Sequence, residues 1–214
     1  EPPLDALILG ARGPMCLPRR LITAHCEMPM TTTHEVLYLH GLESGPDGSK
    51  GAWLKRTQGA FAVDLNTAHA RASATSAQAS GVLWDHTWPD INEDFRVPLE
   101  RAREAIGPET RVIVGSSFGG AVLTHLIHEG TWTGPSLFIA SAGLKLTGHT
   151  ALPSGPKALL LHGRDDDIVP LRDSRTIAAQ SGENVVLWEI SDGHRMKTIM
   201  PSGLLDLAVD WLRS

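Results

Sequence analysis

The chain has 214 residues, 42% hydrophobic and 20% charged, the proportions of a soluble globular protein with room for one sizeable core. Its formal net charge of −5 offers no footing for nucleic acid or an anionic membrane surface, and no apolar run nears the ~18 residues a membrane span needs. Two cysteines, Cys16 and Cys26, are too few for a disulfide framework and read as reduced thiols.

Residues 1–33 carry five prolines and show neither alternation nor a helical stripe, so they are expected to be a loosely ordered extension. The alternative is a short strand at Leu7–Leu9 joining the sheet edge. Cys16, His25 and Cys26 lie close together, but no second ligand pair at zinc-like spacing follows, so no metal site is expected. The segment lacks the basic start and apolar stretch of a secretory signal. With so few cysteines, a cytoplasmic location is the expectation.

The folded domain is expected at 34–214. Val36–Leu39 reads as a short apolar strand, followed by a loop rich in Gly, Ser and Pro over residues 41–49. Residues 50–58 read as a helix and Phe61–Leu65 as a strand. Residues 66–81 are weakly patterned, a loop or a surface helix. Leu99–Ile106 has helical spacing and stops at Gly107-Pro108. Strand Arg111–Val114 leads into a glycine–serine cluster and helix Gly119–His128. Strands follow at Leu137–Ala140, Lys157–His162 and Asn184–Ile190, with helix Leu171–Gln180 between the last two and helix Leu204–Leu212 at the end. Strands alternate with helices, and several are unbroken apolar runs. Both features predict one α/β domain, a three-layer sandwich with a mostly parallel central sheet flanked by helices. In such sheets, functional residues gather on loops at the carboxyl ends of the strands.

Gly115-Ser116-Ser117-Phe118-Gly119 matches G-x-S-x-G centred on Ser117; Val114 excludes Ser116 as the centre. A strand that turns abruptly into a helix strains the residue at the turn, and Gly115 and Gly119 leave room for the chain to pass itself. The turn residue then projects its hydroxyl at the positive end of the helix. Glycine-rich strand–helix turns also bind phosphate, but the spacing here is not G-x-G-x-x-G and no P-loop lysine is present. Ser117 is therefore the expected nucleophile.

A serine hydroxyl needs a base, usually a histidine held by a carboxylate. In enzymes built on this elbow the acid comes next in the chain and the histidine last. His125 and His128 lie on the elbow helix, His149 precedes the acidic loop, and His162 ends a strand and reads as a structural cap. Only His194, in Ser191-Asp192-Gly193-His194-Arg195, follows the last strand, and it is the candidate base. The acid should leave the preceding strand, where Asp165, Asp166 and Asp167 stand together, and spacing picks Asp166. Backbone N–H groups must face the charge developing on the carbonyl oxygen. Phe118 is one donor by position. Leu42 is the other, because Gly41 lets the backbone turn toward the site.

With these residues in place the chain resembles the α/β-hydrolase superfamily. The landmarks are Tyr38-Leu39-His40-Gly41, the elbow 115–120, Gly193-His194-Arg195 and residues 162–170. The last is similar to H-G-x-x-D-x-x-V-P, whose Asp aligns with Asp166. His40-Gly41-Leu42-Glu43-Ser44-Gly45-Pro46 with Gly48-Ser49-Lys50 is similar to the small, lidless YqiA-like esterases. The resemblance implies a Ser-His-Asp hydrolase of acyl esters that forms an acyl-enzyme and needs neither metal nor organic cofactor. Only residues 141–156 separate the strand after the elbow helix from the acid strand, so no large cap is expected. An open site favours short, soluble acyl esters as the small-molecule substrate. Trp84, Trp88 and Trp132 are candidates for the acyl wall, with core packing as the alternative. A thioesterase or peptidase on the same triad, and a non-catalytic binding protein on this fold, remain open.

Overall fold

In chain order the computed structural model runs β1 (Val36–Leu39), α1 (Ser49–Gln58), β2 (Phe61–Val63), α2 (Ala68–Ala79), α3 (Ile91–Ala105), β3 (Val112–Ser116), α4 (Phe118–His128) and β4 (Ser136–Ile139). It continues through α5 (Gly143–Thr147), β5 (Ala158–Gly163), α6 (Leu171–Gln180), β6 (Val185–Ile190) and α7 (Leu204–Arg213). The structure describes residues 34–155 and 157–214. The expectations for residues 1–33, including Leu7–Leu9 and the Cys16–His25–Cys26 group, lie outside the described residues.

The strands form one sheet in the order β2-β1-β3-β4-β5-β6, and every pairing is parallel. Every residue of β1, β3, β4 and β5 is buried. These strands are covered on both faces, which is why their sequences do not alternate. Leu37, Leu39, Ile113, Phe138 and Leu160 point to one face, under α2, α3, α4 and α6. Val36, Tyr38, Val112, Val114, Leu137 and Leu159 point to the other, under α1 and α7. Helix α7 buries Leu205, Ala208, Val209 and Leu212, spacing that sets one stripe against the sheet. Burying each Leu or Val there contributes about 2 kcal/mol.

The departures from the sequence reading have physical causes. The weakly patterned segment 66–81 contains α2, whose buried Ala70 and Ala77 are too small to mark an apolar stripe. Helix α3 begins at Ile91, eight residues before the expected Leu99, and carries Pro98 inside it. The proline removes one helical hydrogen bond, but Phe95 and Ala102 on either side pack into the core. The five-residue α5 falls within 141–156, and no large cap is inserted there. Strand β3 runs two residues past Val114, to Ser116.

From β1 the chain crosses to β2 on one side and later to β3 on the other, so the crevice between the carboxyl ends of β1 and β3 is the switch point where such sheets bind ligands. Among the described residues no helix is long and apolar enough to cross a membrane. Among them no group of three or more His, Cys, Asp or Glu is placed to hold a metal ion.

Candidate active site

Strand β3 ends at Ser116, and Ser117 makes the turn into α4. Its φ of 53° and ψ of −113° lie outside the regions that L-residues favour. Such a conformation costs on the order of 1–3 kcal/mol and persists only where its surroundings enforce it. Here Ser117 N donates to Ile139 O at 2.9 Å. A side chain on Gly115 would come within 2.7 Å of the Gly119 carbonyl oxygen. One on Gly119 would overlap the Leu39 carbonyl, and one on Gly120 would overlap Ser141 Oγ. The glycines are thus imposed by β3, α4 and β1 passing at backbone contact. Ser116 is buried at 5% exposure. Ser117 Oγ, only part-buried, lies 3.0 Å from His194 Nε2.

His194 stands on the loop after β6. Its Nδ1 lies 2.9 Å from Asp166 Oδ2 and 3.0 Å from Oδ1. Asp166, on the loop after β5, has a side chain with no exposure. Burial alone would raise its pKa, but hydrogen bonds from His162, His194 and the N–H groups of Val169 and Ile168 outweigh this. They hold the carboxyl well below the usual range. An ionised carboxylate only accepts, so His194 carries its proton on Nδ1 and turns the Nε2 lone pair to Ser117 Oγ. An imidazole in that tautomer can take the hydroxyl proton. The loops after β5 and β6 touch through backbone: Arg164 N donates to Ile190 O at 2.8 Å and Asp165 N to Asp192 O at 3.1 Å. A side chain on Gly163 would overlap the Asp192 carbonyl, so glycine permits that contact.

Leu42 follows β1, and a Cβ on Gly41 would lie 3.4 Å from Ser117 Cβ, so this loop passes directly against the serine. Among the described residues neither Leu42 N–H nor Phe118 N–H has an acceptor. Both peptides are clamped by their carbonyls. Gly41 O accepts from His40 Nδ1 at 2.8 Å, Ser44 Oγ at 3.2 Å and Ser44 N at 3.3 Å. Ser117 O accepts from Gly120 N at 2.9 Å, Ala142 N at 3.1 Å and Ala121 N at 3.3 Å. A trans peptide sets its N–H opposite its C=O, so fixing each carbonyl fixes the N–H that follows it. Burial pushes His40 below the ordinary histidine value, and as a neutral ring it donates from Nδ1 and accepts Leu65 N–H at Nε2, 3.1 Å away.

The sequence reading missed several supports. His162 is one, beyond the strand cap its position in sequence suggests. It does bond Val169 O (3.0 Å) and Ser174 Oγ (2.7 Å), but its Nε2 also lies 3.2 Å from Asp166 Oδ2. The i, i+4 spacing within H-G-x-x-D carried that signal. Lys50 Nζ donates to Arg195 O at 2.9 Å, tying α1 to the loop that carries His194, and burial pushes its ammonium down to about 8 against the opposing charge of Asp192. Asp192 braces the same loop, accepting from Gly193 N at 2.8 Å, Thr198 N at 2.8 Å and Thr198 Oγ1 at 2.7 Å. Of the three tryptophans, Trp132 belongs to the core, with Nε1 bonded to Ser136 Oγ at the opposite, amino end of β4. It cannot wall the site. Trp84 stacks on Phe118, with ring centroids 6.1 Å apart.

No protein-family model matches the sequence, and no curated protein matches it. Solved structures do. A mouse alpha/beta hydrolase domain-containing protein 10 aligns with a TM-score of 0.61 at 19% identity, over 83% of this chain and 88% of its own. A Xanthomonas campestris pv. campestris protein, named as a candidate hydrolase of the alpha/beta superfamily, aligns with a TM-score of 0.60 at 20% identity, over 84% and 98%. A Paleococcus ferrophilus monoacylglycerol lipase aligns with a TM-score of 0.56 at 14% identity, over 85% and 95%. At these identities the likeness is one of architecture: the chain has the α/β-hydrolase fold, without a large cap.

Proposed function

We propose that this protein is a serine hydrolase of carboxylic esters, with Ser117 as nucleophile, His194 as base and Asp166 as acid. One observation carries the reading: a strained Ser117, its Oγ 3.0 Å from His194 Nε2, with His194 Nδ1 2.9 Å from Asp166. The elbow, the histidine and the carboxyl come from three separate loops at one edge of the sheet, and a purely structural role gives no reason for them to converge. Structural neighbours named as a monoacylglycerol lipase and an esterase domain support ester substrates.

In this mechanism Ser117 Oγ attacks the ester carbonyl carbon while its proton passes to His194 Nε2. The carbonyl oxygen becomes an oxyanion, met by the N–H groups of Leu42 and Phe118, whose direction is already set by the clamped carbonyls. Collapse breaks the bond to the alkoxy oxygen, which leaves with the proton from Nε2. Water then attacks the acyl-Ser117 carbonyl, gives its proton to Nε2, and a second collapse releases the acid and restores Ser117. Asp166 holds the Nδ1–H tautomer and stabilises the imidazolium at each proton transfer. The cycle calls for no metal or organic cofactor.

A site without a large cap leaves a long acyl chain exposed to water, which favours short, soluble esters. The test is turnover of p-nitrophenyl esters of two to twelve acyl carbons by the wild type and Ser117→Ala. Turnover of the short esters that Ser117→Ala abolishes supports the reading. Equal turnover by both proteins, or a preference for dodecanoyl over butyryl, contradicts it.

A further inference from the structure

Helix α3 runs down to feed the start of β3, so its first turn and residues 80–90 before it lie at the carboxyl edge of the sheet, the edge that carries Ser117. This loop is pinned there: His86 N donates to Lys145 O at 2.9 Å, in the helix that follows β4. It also displays Val82 and Leu83 at 54% and 72% exposure.

Beneath it lies a carboxyl group that the triad chemistry does not use. Asp94 is fully buried. Its Oδ1 accepts from Ser73 Oγ at 2.7 Å and lies 2.8 Å from His69 Nδ1, both on α2, and its Oδ2 accepts from Trp84 Nε1 at 2.9 Å. Burying a carboxyl group is costly unless every hydrogen bond is made, and here three donors converge on one. The indole is therefore fixed at two edges. Its N–H is tied to Asp94, and its face lies nearly parallel to Phe118, at 17°. Phe118 in turn stacks on Phe95, with centroids 5.1 Å apart. Phe118 is the residue after Ser117, and half-buried Leu42 packs on the same apolar cluster. Thr67 Oγ1, at the start of α2, bonds Leu42 O at 3.0 Å.

We propose that Trp84, positioned by Asp94 and backed by the buried Phe118 ring, is the wall that limits the acyl group, and that with half-buried Leu42 it bounds the place where short straight-chain acyl groups sit. The proposal rests on the ester-hydrolase reading. An acyl chain entering an apolar pocket gains about fourfold in kcat/KM per methylene buried, and a rigid indole ends that gain.

The experiment compares kcat/KM for octanoyl and butyryl p-nitrophenyl esters in the wild type, Trp84→Ala, Trp84→Phe and Asp94→Asn. The octanoyl-to-butyryl ratio is expected to rise about tenfold or more in Trp84→Ala. Trp84→Phe, which keeps a ring, should stay near the wild-type ratio. Asp94→Asn, which loosens the indole, should move toward Trp84→Ala. A merely structural tryptophan lowers both esters equally, and an unchanged ratio in Trp84→Ala overturns the proposal. Calorimetric binding of butanoate and octanoate to Ser117→Ala, with and without Trp84→Ala, reads the wall apart from the chemistry. Octanoate binding gained only with Trp84→Ala supports the wall. Equal octanoate binding in both proteins, or none in either, overturns it. Length-selective binding without any ester turnover by the wild type would sink the hydrolase reading and leave the wall standing.

Discussion

Replacing Asp166 by Asn changes one atom and leaves the volume of the side chain intact. Asp166 Oδ1 accepts from Ile168 N at 2.9 Å and Val169 N at 2.8 Å, so the amide oxygen takes that place and the NH₂ group faces His194 Nδ1. Two donors cannot face each other, so Nδ1 must present a lone pair and the ring proton moves to Nε2. It then points at Ser117 Oγ, 3.0 Å away, and the imidazole can no longer take the hydroxyl proton. The expected loss is about 10⁴-fold in kcat, the scale of a wrong tautomer in a serine triad, or about 5.5 kcal/mol of barrier. His162 Nε2 also loses an acceptor but keeps Val169 O, so the stability cost is about 1–3 kcal/mol, several degrees in Tm. The carboxyl is held well below its usual range, so its stabilisation is complete at neutral pH. It begins to fade only as pH falls below about 4, where the unfolded chain takes up the proton and the folded one does not. The assay is steady-state hydrolysis of p-nitrophenyl butyrate beside thermal melts at pH 7 and below pH 4. A kcat within tenfold of wild type would refute the tautomer argument. A stability gap between the two proteins that widens as pH falls below 4 would refute the linkage.

Three further outcomes follow from the same contacts. Lys50→Met removes the bond to Arg195 O and lets the loop that carries His194 drift, lowering kcat by about tenfold to a hundredfold with KM little changed; kinetics showing only a KM effect would contradict that. Gly119→Ala forces a methyl group into the Leu39 carbonyl and costs more than about 3 kcal/mol, whereas Gly45→Ala meets nothing within 4 Å and stays within about 0.5 kcal/mol, as urea melts would read. Burial, together with the His149 charge, pushes His125 down to about 4. The unfolded chain therefore binds a proton below about pH 6.5 that the folded protein refuses until about pH 4. The His125 contribution to stability is lost as pH falls across that window and is constant above it. His125→Leu should lessen the fall in Tm between pH 6.5 and 4, and an unchanged slope would count against the linkage.

The legible parts of the chain are those where one physical demand selects a residue type. Val36–Leu39 and Val112–Val114 announce a sheet covered on both faces because nothing polar interrupts them. Gly115 and Gly119 are readable because backbones pass at contact and no other residue fits. Ser117, Asp166 and His194 could be picked by chain order, and the fold brings these three within hydrogen-bond distance. What was not legible depends on contacts between distant segments. Lys50 and Arg195 are 145 residues apart, and nothing local marks their bond. Asp94 falls in the first turn of α3, where an acidic residue is unremarkable in sequence; only packing shows it buried beneath Trp84. Pro98 hid the first half of that helix, because local propensity disfavours what the core enforces. Trp132 carries the same residue type as Trp84 but packs at the opposite edge of the sheet, a difference set by topology alone.

The central claim is that Ser117 is a nucleophile activated by His194. The most direct measurement is reaction with a fluorophosphonate, followed by intact-mass analysis and peptide mapping of the wild type, Ser117→Ala and His194→Ala. The account predicts one adduct per chain on Ser117 in the wild type, none in Ser117→Ala, and labelling slowed by about a thousandfold or more in His194→Ala. An adduct on another residue, or equal labelling with and without His194, would contradict it.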